Sequence, residues 1–115
     1  MGTKAYRIDQ VDGAPETCGV YVIYFTHSPS KFYVGSAKNF KKRWKQHVAK
    51  LKSRKHSNYK LKRLFASYRN ELRFQVYKET ADTPTARIEE QTVIDFVPHE
   101  RLYNLDFTVY KHRND

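Results

Sequence analysis

Four side chains stand out as a group able to do chemistry: Tyr21, Tyr33, Arg43 and His47. They fall within residues 19–47, GVYVIYFTHSPSKFYVGSAKNFKKRWKQH. A phenol can give or take a proton, and a guanidinium forks onto paired oxygens in a way a point charge does not. An imidazole changes charge near neutral pH. Two phenols, a guanidinium and an imidazole beside a basic surface point to phosphate chemistry.

These residues need a particular scaffold to meet. Val20 to Phe25 and Phe32 to Val34 are rich in β-branched and aromatic residues and read as strands. The first opens with Gly19-Val20-Tyr21 and the second closes with Tyr33-Val34-Gly35. Ser28-Pro29-Ser30 between them is turn chemistry, so a hairpin puts the two tyrosines on neighbouring strands. Asn39 is a suitable N-cap for the helix that follows. Phe40, Trp44, Val48 and Leu51 form its apolar stripe, while Arg43 and His47, at i and i+4, share a face at the stripe's border. That border is where an active-site rim would lie.

The rest of the chain reads in the same way. Ser57 or Asn58 caps a second helix whose apolar residues are Leu61, Leu64, Phe65 and Tyr68. Leu72, Phe74 and Val76 alternate with Arg73, Gln75 and Tyr77, the period of a half-buried strand. Thr83 at the cap and Pro84 at the first turn open a third helix that runs to Val97, before Pro98. Its apolar face is Ala86, Val93, Ile94 and Val97, and Glu90 interrupts that face while Glu89 lies toward its edge. A carboxylate there must be paired, protonated, bonded to a backbone amide or bound to a metal. Residues 1–18 read as an irregular lead-in, and the tail from His99 as a short strand or irregular packing.

Charge is distributed unevenly. The net charge is +10, yet residues 17–69 carry 14 Lys or Arg and no Asp or Glu, while the remainder has a net of −4. Such a footprint favours a polyanion, with nucleic acid foremost. The single cysteine, Cys18, rules out an intramolecular disulfide and a cysteine-built zinc site. The N-terminus has no apolar signal segment, and the longest apolar run is far short of a membrane span. A single domain in a reducing, cytoplasmic setting, in a bacterium or a phage-infected cell, is expected.

The two tripeptides, their spacing, the following SAKNFKKRWKQH, the helix-borne Glu90 and the late Asn104 together resemble the GIY-YIG nuclease family. Within it, YVGSAKNFKKRW is most similar to the catalytic domains of phage-type homing endonucleases. The resemblance covers about residues 19–105. It implies an α+β fold, a small three-stranded, mainly antiparallel sheet flanked by helices. It also implies metal-dependent hydrolysis of DNA phosphodiesters, leaving 5′-phosphate and 3′-hydroxyl ends. By residue match, Tyr21 and Tyr33 are the strand tyrosines, with Tyr33 favoured as general base, and Arg43 is the motif arginine. Glu90 is the carboxylate for one divalent ion, Mg²⁺ or Mn²⁺. His47, His56 and Asn104 complete the catalytic set. Repair-type members carry a lysine directly after the second tripeptide, where this chain has Ser36. Ser36, Lys38, Lys41, Lys42, Lys45, Arg54 and Lys55 are expected to face DNA.

The reading requires the phenols, the guanidinium and Glu90 to converge on one pocket open to DNA. Other readings are a DNA-binding module that kept the fold and lost the chemistry, and a nuclease acting on RNA or branched DNA. Homing enzymes add a linker and a DNA-reading region, for which 115 residues leave no room. The expectation is therefore one nuclease domain with weak site preference, borrowing specificity from a dimer mate or a partner protein if at all.

Overall fold

The computed structural model describes residues 4–109. Strand β2, Gly19–Phe25, and strand β3, Phe32–Ala37, form the expected hairpin. β2 also pairs antiparallel with β4, Leu72–Glu79, which makes β2 the buried centre of the sheet. A two-residue strand β1, Ala5–Tyr6, adds to the far edge of β4, giving the order β1-β4-β2-β3. The sheet thus has four strands, one more than the sequence implied. Two residues are too few for an alternation to show, so β1 exists only because the edge of β4 offers it hydrogen bonds. The lead-in is likewise more ordered than expected, with a 3₁₀ turn at Ile8–Gly13 against the helix that follows the hairpin.

Helix α1, Phe40–Lys52, begins where Asn39 accepts a hydrogen bond from the Lys42 amide at 3.0 Å. Its stripe of Phe40, Trp44, Val48 and Leu51 is buried, and the Trp44 ring stacks on Phe74 of β4 at 5.3 Å. Each fully buried side chain of the size of Phe40 or Phe74 stabilises by roughly 1.5–3 kcal/mol. Helix α2, Tyr59–Tyr68, is capped by Asn58 and buries Leu61 and Phe65. Tyr68 is largely exposed and stacks on His27 at 3.9 Å instead of joining the core.

Helix α3, Thr83–Phe96, lies on the other sheet face, where Ala86, Val93 and Ile94 meet Val20 and Val34. Its cap is Asp82, which accepts from the Thr85 amide at 2.9 Å. Thr83 is instead the first helical residue, because the aspartate side chain reaches the exposed amides more directly. The tail contributes one parallel bridge, Leu102 to Phe32, and then runs along the open edge of β3. Residues 110–115 of that tail lie outside the described part.

Candidate active site

Register decides which side chains meet. In the hairpin Tyr21 pairs with Gly35 and Ile23 with Tyr33, so both tyrosines project to the face covered by α1. Their rings lie 6.3 Å apart, and each is 5.7 Å from the His47 ring. Tyr21 is fully buried, whereas Tyr33 is partly exposed. Gly35 is required by this arrangement: a Cβ there would sit 2.7 Å from both Oη and Cζ of Tyr21. The glycine of the second tripeptide is the floor on which the first tripeptide's phenol rests.

His47 extends the site inward. The Tyr21 hydroxyl and His47 Nε2 are 2.7 Å apart, and His47 Nδ1 and His56 Nε2 are also 2.7 Å apart. The Asn58 amide donates to His56 Nδ1 at 3.0 Å. Burial, with repulsion from Lys50 and Lys62 added, lowers the His56 imidazole from 6.5 to about 4. His56 is therefore neutral at physiological pH.

Beside this chain opens a cavity of about 290 Å³ lined by Tyr33, Arg43, His56, Ser57, Asn58, Asn104, Leu105 and Asp106. Asn104 is placed by the β3 edge: its Oδ1 accepts from the Val34 amide at 3.0 Å and its Nδ2 donates to the Val34 carbonyl at 2.9 Å. The side chain mimics a missing strand and carries the tail to the cavity. Tyr33, Arg43, His56 and Asn104 thus meet there, from β3, α1, the α1–α2 loop and the tail.

Glu90 is placed differently. Successive β3 side chains alternate between faces, so Ser36 points to the α3 side, away from Tyr33. Its hydroxyl donates to Glu90 Oε1 at 2.6 Å. Glu90 has 0 % of its surface exposed and is not among the cavity walls. Glu90 thus meets β3 through Ser36, on the face of the sheet that α3 covers. Ser36, expected to face DNA, is 2 % exposed and is engaged by Glu90.

Among the described residues no three His, Cys, Asp or Glu side chains gather as a ready metal cage. The chemistry of Glu90 still suits a hard divalent ion, which needs only one or two carboxylates and keeps its waters. With no surface exposed, that carboxylate takes an ion only after the side chains covering it shift.

The expected basic contacts divide by helical geometry. Lys41 and Lys45 stand about 200° round α1 from Arg43 and His47 and face the N-terminal turn, with Nζ 3.9 Å from Glu16 and 3.2 Å from Asp12. Lys38, Lys42, Arg54 and Lys55 are exposed. Arg54 adopts φ 61°, a left-handed conformation, where α1 ends. Lys50 and Lys62, whose charges reach His56, were not anticipated. Lys50 stands seven residues after Arg43, within about 20° of the same face, which is the signal that would have found it.

The sequence profile of the GIY-YIG catalytic domain matches residues 17–103. The chain belongs to the GIY-YIG family. Over 61 residues it is 43 % identical to intron-associated endonuclease 1 of Enterobacteria phage T4, a stretch amounting to 53 % of this chain and 24 % of that protein. The match thus spans about a quarter of that relative's length. Among solved structures, the catalytic domain of homing endonuclease I-TevI superposes with a TM-score of 0.70 at 32 % identity, covering 78 % of this chain and 99 % of that one. A mutant of the same I-TevI domain gives 0.70 at 31 % identity, over 79 % and 95 %. This is a GIY-YIG nuclease domain related to homing endonuclease catalytic domains, with an α+β fold built on an antiparallel sheet. No helix of this GIY-YIG domain, among the described residues, is long and apolar enough to cross a membrane.

Proposed function

We propose that this domain hydrolyses DNA phosphodiesters, leaving 5′-phosphate and 3′-hydroxyl ends, with one divalent ion, Mg²⁺ or Mn²⁺. The observation that supports it best is the cavity that Tyr33, Arg43, His56 and Asn104 line together, with Lys50 and Lys62 acting on His56. Arg43 forks onto the nonbridging oxygens of the scissile phosphate and stabilises charge that grows there in the transition state. Tyr33, the exposed member of the phenol pair, accepts the proton of the attacking water at Oη. A free phenol titrates near 10, so Arg43 at the same cavity favours the phenolate it needs. Asn104 orients the departing side of the substrate. Glu90 is the residue that holds the cation, which when bound supplies Lewis-acid stabilisation of charge on the phosphate. His47 and His56 position Tyr21.

The exposed lysines and arginines of α1, α2 and their loop hold the DNA backbone. Backbone contacts fix position and carry little sequence information, so site preference is weak. One site cuts one strand, so double-strand cleavage calls for a dimer, a partner protein or successive visits.

The test is a nicking time course on supercoiled plasmid with Mg²⁺. Arg43→Ala and Glu90→Gln should each lower the rate by about 10²-fold or more with their folds intact, and EDTA should stop the wild type. Salt-sensitive DNA binding with no turnover under any metal would establish a silent binding module instead. A panel of RNA and branched substrates identifies a different preferred polymer. Full activity of Glu90→Gln would remove the metal role.

A further inference from the structure

Hydrogen-bond polarity along the line from Asn58 to Tyr21 fixes more than the distances do. A backbone N–H can only donate, so His56 Nδ1, 3.0 Å from the Asn58 nitrogen, is an acceptor and carries no proton. A neutral imidazole has one N–H, which in His56 must then sit on Nε2. That N–H points at His47 Nδ1, 2.7 Å away. His47 Nδ1 is therefore an acceptor too, and its own proton is on Nε2, donated to the Tyr21 oxygen at 2.7 Å. The two imidazole rings have centroids 5.0 Å apart and planes 18° from parallel, which suits an edge-to-edge N–H···N bond.

The opposite polarity is not available. If Tyr21 donated to His47, His47 would donate to His56, and His56 would receive N–H groups at both nitrogens with no proton of its own. An imidazolium at His47 fails as well, because its Nδ1–H would confront the Nε2–H of His56.

We infer that the Asn58 amide is a positioning group for the site. It sets the tautomer of His56, through it that of His47, and so makes the Tyr21 oxygen a hydrogen-bond acceptor that cannot discharge its proton into the histidines. Asn58 is itself pinned. Its Oδ1 accepts from the amides of Lys60 and Leu61, both at 3.0 Å, and its Nδ2 donates to the Tyr103 carbonyl at 3.0 Å. The start of α2 and the tail thereby fix the polarity of a chain that ends beneath the phenol pair. Two consequences follow. Tyr21 is a fixed, hydrogen-bonded phenol with no exposed surface, and the partly exposed Tyr33 is the phenol that a water can reach. His47 also stays uncharged well below the usual imidazole range.

The groups that face this pair bear on the second point. Tyr21 of β2, Tyr33 of β3 and Phe74 of β4 face His47, and His56 faces it from the loop. Lys50 of α1 and Lys62 of α2 act on His56, and Arg43 and Asp106 line the adjoining cavity. The lysines disfavour a proton on His56, in keeping with its neutral form.

The kinetic part of this inference rests on the nuclease reading; the tautomer part does not. Histidine-¹⁵N NMR on the intact protein should show both His47 and His56 as Nε2–H tautomers, with His47 unprotonated at pH 5.5. A His47 signal of the Nδ1–H form, or of an imidazolium near neutral pH, overturns the inference whether or not DNA is cut. In nicking assays, His56→Ala frees His47 Nδ1 to take a proton. Its kcat/KM should then lose a further tenfold per pH unit below about 6.5, on top of the fall that protonation of Tyr33 gives the wild type. His56→Gln, whose amide can still donate to His47, should keep the wild-type profile whatever its rate. A pH profile of identical shape in wild type and both variants would refute the polarity. An inactive wild type with the expected NMR spectrum would instead refute the nuclease reading alone.

Discussion

Gly35→Ala should disable the domain through the phenol that lies over it. The new methyl would stand 2.7 Å from Oη and Cζ of Tyr21 and 3.1 Å from Cε1, whereas carbon contacts are comfortable only from roughly 3.5 Å. The ring must therefore retreat by about 0.7–1 Å. It has nowhere to go: it is fully buried, with Phe40 and Trp44 edge-on at 6.3 and 6.0 Å and His47 at 5.7 Å. Overpacking of this kind costs about 1–3 kcal/mol. A retreat of that size also stretches the 2.7 Å bond to His47 beyond hydrogen-bond range, which adds about 1 kcal/mol. The sum, about 2–4 kcal/mol, should appear as a lower urea midpoint with unchanged slope and a melting temperature down by roughly 10 °C. Nicking should fall by about 10²-fold, since displacing positioned groups by an ångström has that effect. In a Tyr21→Phe background the hydrogen-bond share disappears, so the two substitutions should couple by about 1 kcal/mol. A Gly35→Ala protein within about 0.5 kcal/mol of wild type, and fully active, would show that Tyr21 is not held as described.

Three further outcomes are expected. Arg54→Gly relieves a left-handed residue and should raise stability by about 1 kcal/mol in denaturant titrations, while weakening retention on immobilised DNA. Lys55→Ala should reduce the slope of log affinity against log salt by about 1, whereas Lys41→Ala, on the side of α1 facing the N-terminal turn, should leave it unchanged. The folded-state value of His56 is depressed from 6.5 to about 4, so between those limits the unfolded chain binds the extra proton. Stability should then be fully present above pH 6.5 and decline as pH falls toward 4. Thermal melts across that window check the sign, and His56→Gln should flatten the curve.

Much of this protein can be read along the chain because its decisive interactions are local in period. The hairpin tyrosines, the Asn39 cap, the α1 stripe and the alternation of Leu72, Phe74 and Val76 are set by spacings of two and 3.6 residues. Spacing also places Arg43 and His47 on one helix face, and the resemblance carried by the two tripeptides and Asn104 named the family. Partner choice across the fold is not local. Strand β1 depends on a vacant edge of β4. The division between Lys41 and Lys50 depends on which side of α1 meets the N-terminal turn. That Ser36 donates to Glu90 depends on sheet parity: Ser36 points to the opposite face from Tyr33, the face that α3 covers. The polarity from Asn58 through His56 and His47 to Tyr21 likewise arises from three segments meeting. A linear sequence encodes which groups exist and which local face they take, but only the packed sheet and helices set the distances at which one group's proton dictates another's.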